Sequence, residues 1–303
     1  MQQLGRCAWV VLMVLAAAAP GLAVVPTEEA KARQEAEMYA KRSDDYRSRP
    51  ARALSAEGTQ AKKIMEQAGA LLGEADTEAK IAAAAGLYQQ ATGLAPKWDE
   101  TWSGLGNAVF LQGLIIPLQE KGTKPKKLAL YGQARESCNR AVALNPQSPG
   151  GNLCLANVLL AEGEVKGIWA SAMVLPEVFK LSDEVAKVDP YYDDGAIFRT
   201  FGVVIYVVPT WIVRRFGFSP ELLVPYLDQA IARQPQRFIN YVVRAALYSR
   251  LDKKTRALDD LQFVLTHDPN ALPGFQQENR KQQKEALMHW KKIAGQDYPR
   301  RGK

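Results

Sequence analysis

The feature that most constrains this 303-residue chain is a spacing that recurs along it. "AAAGLYQQATGLAP" sets Ala84, Tyr88, Ala91 and Pro96 four, three and five residues apart. The same steps return with Ala134, Cys138, Ala141 and Pro146, with Leu223, Leu227, Ala230 and Pro235, and with Ala257, Leu261, Val264 and Pro269. A weaker copy has Val178, Ser182, Val185 and Pro190. Steps of four and three keep residues on one helix face, and small residues there let a second helix approach closely. A proline just past the helix end stops it and starts the next turn. A partner helix precedes the motif, marked by Trp102, Leu105, Gly106 and Val109. Such a chain folds as successive helical pairs, all-α, with each pair burying its neighbour's apolar face.

Together these residues resemble the W-x2-L-G…A-x3-F…P pattern of the tetratricopeptide repeat (TPR), a 34-residue helix-turn-helix unit. The resemblance implies a solenoid of about five units over residues 60–270, at 60–96, 99–146, 149–190, 194–235 and 236–269. The proline intervals locate additions to it. Pro235 to Pro269 is one unadorned repeat of 34 residues, whereas the three preceding intervals are 50, 44 and 45. The 16, 10 and 11 extra residues fall between the first and second helix of their own units, after Val109, after Leu159 and after Gly202. Equivalent loops of stacked units share one edge. These insertions are apolar: "LQGLIIPL" (111–118), "IWASAMVL" (168–175) and "WIVRRFGF" (211–218).

Solvent-facing connections avoid such composition. An apolar rim forms either a satellite core that lengthens the helices or a binding surface. The candidate contact residues are Leu114, Ile115, Ile116, Trp169, Met173, Arg199, Tyr206, Trp211, Ile212, Arg214 and Phe216. The expected partners are another protein, a second copy of the chain, a peripheral membrane contact or an apolar small ligand held in a cavity.

The stretch from Ala196 to Val213 tests the membrane alternative. It is 18 residues long, at the short end for a span, and carries Arg199 and Pro209. With repeat copies on both sides it reads as the first helix of the fourth unit. Phe201-Gly202 stands where Leu105-Gly106 stands, and Ile205 where Val109 does. Downstream of Asp183, the aspartates Asp189, Asp193 and Asp194 lack the regular oxygen spacing of a calcium loop and read as helix caps.

At the N-terminus, Arg6 precedes the short apolar run "CAWVVLMVLAAAA", then Pro20 and small residues. This is the layout of a secretory signal peptide, residues 1–23, cleaved after Ala23. Cys7 precedes the run, so the expectation is a soluble periplasmic protein rather than a lipoprotein. Residues 24–59 are charged and suit a solvated helix or arm, and residues 271–303 suit a capping helix with a basic tail. Cys138 and Cys154 sit in apolar neighbourhoods and read as two small buried hydrophobes, although an export compartment permits a disulfide.

Net charge is +7, but the basic residues are scattered among 32 acidic ones, so no nucleic-acid footprint is expected. Two cysteines and the distant His267 and His289 give no metal-ligand set, and no residues assemble a nucleophile, base and orienter. The reading is a binding protein with no cofactor and no catalytic residues. Finally, Gly195, Ala196, Arg199 and Gly202 with Tyr206 and Pro209 resemble a segment of the TPR proteins associated with tripartite ATP-independent periplasmic (TRAP) transporters. That resemblance implies an accessory protein that binds the transporter's solute-binding subunit, self-associates, or holds a ligand within the repeat.

Overall fold

The computed structural model describes residues 27–50, 53–118, 122–207 and 219–299. The described residues are all-α. In chain order the helices are α1 (Glu28–Arg47), α2 (Ala56–Gly73), α3 (Glu78–Leu94), α4 (Asp99–Leu114), α5 (Thr123–Leu144), α6 (Pro149–Lys166), α7 (Ile168–Val188), α8 (Ala196–Val207), α9 (Pro220–Arg233), α10 (Phe238–Arg250), α11 (Lys254–Thr266) and α12 (Gln276–Ala294), with a short 3-10 turn at Tyr192–Asp194.

The recurring spacing explains the core. Ala84, Ala91, Ala134, Cys138, Ala141, Val185, Leu227, Ala230, Ala257, Leu261 and Val264 are completely buried, and Val178 and Leu223 nearly so. Each of these helices ends just before its proline, as the spacing requires. Side-chain caps set several starts: Ser55, Thr77 and Ser148 accept from the backbone N–H three residues on, and Pro149 and Pro220 occupy first-turn positions. Trp102 and Asn152 stand six residues after their prolines, and each donates to its proline's carbonyl at 2.9 Å.

The chain divides into two compact units. Unit I holds Arg42–Tyr192 with Leu272–Gln277. In it α2/α3, α4/α5 and α6/α7 pair as hairpins, and α3/α4, α5/α6 and α4/α6 pack between hairpins. The end of α1 lies along α7: Arg42 donates to the Ala186 carbonyl, and Ser43 Oγ accepts from Tyr191 N–H at 2.9 Å. Here part of the added residues becomes helix. α5 is 22 residues and α7 is 21, and α6 passes to α7 through Gly167 alone, at φ 112°.

Unit I also corrects the reading of the two cysteines. They are not separate hydrophobes; Cys138 on α5 and Cys154 on α6 form a disulfide, with Cα atoms 5.6 Å apart. The bond sits against Gly106, where a Cβ would lie 2.7 Å from either sulfur.

Unit II holds Asp193–Ala271, the described residues up to Lys41 and those from Glu278 onward. Its helices α8, α9 and α10 pack mutually, and α10 pairs with α11. Gly202 lies on Val243 of α10, closely enough that a Cβ would come within 2.3 Å of it. Ile205 is buried, as its counterpart Val109 is, but Val203 is half exposed, so α8 is not enclosed all round. No helix among the described residues is long and apolar enough to cross a membrane.

The N-terminal segment is docked rather than solvated. Ala32 and Ala36 are buried, and Tyr39 packs on Phe198 and Tyr226, whose own centroids are 4.7 Å apart. On α12, Asn279 accepts from Phe238 N–H and donates to the carbonyls of Gln236 and Pro269, which ties the helix to the preceding turns.

Candidate binding surfaces

Unit I carries a groove of about 770 Å³ between α3 and α5, floored by α4. Trp102, Leu105 and Val109 form the floor, spaced three and four residues apart on one helix face. The walls are polar: Gln89 on one side, and Gln133, Glu136, Asn139 and Arg140 on the other. Arg140 stacks over the Trp102 ring at 6.0 Å, which places a cation beside the apolar floor. An apolar floor with a few convergent polar groups of both charge signs fits a segment carrying an apolar side chain and exposed amides.

Sequence reading named Trp102, Leu105 and Val109 as repeat positions and did not see them as a floor. The signal was present in α5, where Gln133, Glu136, Arg140 and Ala143 recur at steps of three, four and three, one or two positions before the buried anchors Ala134, Cys138 and Ala141.

The rim residues of unit I separate by burial. Leu114 and Ile115, at the end of α4, are 40% and 45% exposed, while Ile116 is buried. Trp169 and Met173 on α7 are 84% and 82% exposed. The buried Lys127 ammonium donates to the Ile116 carbonyl at 2.8 Å, which fixes the chain where it leaves α4.

In unit II, Arg199 does not belong to an exposed surface. It is 7% exposed and donates to Asp193 Oδ2 at 2.7 Å, to the Asp193 and Asp194 carbonyls and to Asn240 Oδ1. Arg237, 3% exposed, joins the same carboxylates: it meets Asp193 at 3.0 Å, Asp194 at 3.2 Å and Glu278 at 2.6 Å. Asp193 and Asp194 are therefore not helix caps, and Asp189 instead pairs with Arg47 at 3.2 Å. Both Asp193 and Asp194 hold left-handed backbone, at φ 47° and 54°, a conformation aspartate tolerates better than most residues. Burial pushes the Asp193 carboxyl up, but Arg237 and Arg199 outweigh it and hold it below its ordinary value. This network joins the start of α8 to the start of α10 and to α12, a structural role.

Tyr206 is half-buried near the end of α8. Its hydroxyl accepts from Lys292 Nζ at 2.8 Å, its carbonyl accepts from Arg250, and the His289 ring packs edge-on at 5.5 Å. Burial lowers the His289 pKa. Trp211, Ile212, Arg214 and Phe216 lie outside the described residues, as does the proposed signal segment. Leu114, Ile115, Trp169 and Met173 therefore belong to one unit, and Arg199 and Tyr206 to the other.

The fold is similar to that of a thermophilic TPR protein of Thermus thermophilus, with TM-score 0.52 and 18% identity over 76% of this chain and 99% of that one. A human IFIT1 dimer with m7Gppp-AAAA aligns at TM-score 0.37 and 16% identity, over 86% of this chain and 65% of that one. No family model matches the sequence, and no curated protein does. The chain thus has an all-α, TPR-like helical repeat fold.

Proposed function

We propose that the chain is a protein-binding scaffold, acting by binding rather than catalysis, whose groove over α4 takes an extended polypeptide segment. The observation that carries this is the groove itself, with Trp102, Leu105 and Val109 beneath and Gln133, Asn139 and Arg140 beside. The test is a photo-crosslinking amino acid placed at Gln133 or at Asn139, with Lys62 on α2 as control, in cells expressing the full chain. One discrete adduct common to the groove positions and absent at Lys62 is expected. Crosslinking that is equal at all three positions, or none at the groove, contradicts the proposal.

The finer reading is an exported adaptor that serves a TRAP-type transporter through its solute-binding subunit. The signal-like first 23 residues support export, as does a buried disulfide, since such bonds persist in oxidising compartments. The transporter partnership rests on the segment Gly195–Gly202 with Tyr206 and Pro209. Osmotic-shock fractionation tests the export. A pull-down of the solute-binding subunit, lost when Trp211 and Ile212 become Ser, tests the partnership.

A further inference from the structure

The tips of two hairpins in unit I expose side chains that a folded protein ordinarily covers. On the first turns of α7, Trp169, Ala172, Met173 and Pro176 are all exposed and share one helix face. The same face then turns charged, with Glu177, Lys180 and Asp183. The change comes about 12 Å along the helix, at 1.5 Å per residue from Ile168. Gly106 faces Cys138 and Cys154, Gly113 faces Tyr131 and Arg135 pairs with Glu162, so α4 and α6 run parallel, each antiparallel to α5, and the end of α4 with Leu114 and Ile115 lies on the same edge as the α6–α7 tip.

Three lysines on this edge are exposed, among carboxylates that pair with two of them. Lys124 and Lys126 on the first turn of α5 and Lys166 on the last turn of α6 are exposed. Glu164 is exposed beside them, and exposed Glu78 pairs with Lys126. Lys124 has no salt bridge among the described residues. Lys126 meets Glu78 in a pair more than half exposed on both sides, which exchanges at little cost. The Lys166 ammonium meets Glu162 at 2.8 Å.

We propose that this edge seats on a phospholipid bilayer. Trp169, Met173, Leu114 and Ile115 enter the interfacial layer, and the lysines meet anionic headgroups. Two observations favour a bilayer over a protein surface. The apolar side chains protrude from helix ends rather than lining a groove. Their polarity changes along the helix axis, as an element dipping tip-first into an interface requires, over a depth close to the roughly 5–10 Å of interfacial insertion. Tryptophan prefers that layer, and lysine stems reach from it to the headgroups. The edge is separate from the polypeptide groove, so the two proposals stand independently.

The test uses the full chain with large unilamellar vesicles of phosphatidylcholine, alone or mixed equally with phosphatidylglycerol, carrying brominated acyl chains. Subtracting the fluorescence of Trp169→Phe from that of the unsubstituted chain isolates Trp169 from the other tryptophans. The expected result is quenching of the Trp169 component by brominated lipid, stronger with phosphatidylglycerol. The affinity measured by that quenching should be weakened roughly tenfold in Ile115→Ser/Met173→Ser, whose positions are exposed and leave the thermal midpoint unchanged. An unquenched Trp169 component, or affinity indifferent to Ile115→Ser/Met173→Ser, overturns the proposal. So does light scattering that shows a dimer dissociating in Trp169→Ser/Met173→Ser, because the edge is then a self-association face.

Discussion

Cys138 on α5 and Cys154 on α6 are bonded against Gly106 of α4, so three helices from two hairpins meet at one point with no room for a Cβ. The bond closes a sequence separation of 16 residues. Constraining a loop of that size in the unfolded chain is worth about 3 kcal/mol. Replacing both cysteines with Ala should therefore lower the denaturant midpoint by an amount corresponding to about 3 kcal/mol, and reductant should shift the unsubstituted chain equally. An unchanged midpoint contradicts it.

Gly106→Ala tests the same contact from the other side. Its Cβ would lie 2.7 Å from both sulfurs, so the helices must separate or the thiols must remain reduced. The expected loss is about 1–3 kcal/mol, as for overpacked cores. A thiol titration in denaturant should find more free sulfhydryl than in the unsubstituted chain.

Asp193 gives unit II an acid limit. Its folded pKa lies below the ordinary value of 3.8, so its contribution is fully present above about 3.8 and is lost as pH falls below that value. Asp193→Asn keeps a residue that tolerates φ 47° but removes the charge. Followed by circular dichroism, the variant should be less stable at neutral pH and lose less stability than the unsubstituted chain as pH falls below about 3.8. Parallel acid curves would contradict the assignment.

Arg237 is the larger dependency. Its removal leaves Asp193, Asp194 and Glu278 without their shared cation. The carboxylates left behind are 22–36% exposed and Asp193 keeps Arg199, so the loss should be about 1.5–3 kcal/mol, the range of hydrogen bonds to charged groups, whereas an exposed pair such as Lys80–Asp76 is worth less than about 1. Denaturant titrations of Arg237→Ala and Lys80→Ala should differ accordingly, and similar losses in the two would mean that the network adds nothing beyond surface pairing.

Much of the fold was legible in the sequence because burial acts through periodicity. Ala134, Cys138 and Ala141 could be placed on an inner face from their spacing alone, and all three are fully buried. The insertions were legible as apolar, and helix lengthening stayed one of two readings, since the same residues serve a long helix or a loop until the partner helix is in place. Arg199 was misplaced for a related reason. A lone cation in an apolar run reads as exposed, and its partners Asp193 and Asn240 lie outside its helix, with Asn240 41 residues away. The groove escaped notice because its floor residues are also repeat markers, and a marker normally signals packing. Only the position of α5 shows that the half-buried Trp102 lines a groove.

The account rests most heavily on that groove. The direct measurement is an unbiased peptide-display selection against the purified chain, followed by titration of an enriched peptide against Gln133→Ala and Arg140→Glu. Both substitutions lie on the groove wall. The account predicts enriched peptides sharing an apolar position beside an acidic one, matching Trp102 and Arg140, and an affinity at least roughly tenfold weaker in Arg140→Glu, as expected for loss of a partly desolvated charge contact. No enrichment, or a peptide that binds Arg140→Glu as well as the unsubstituted chain, would contradict it.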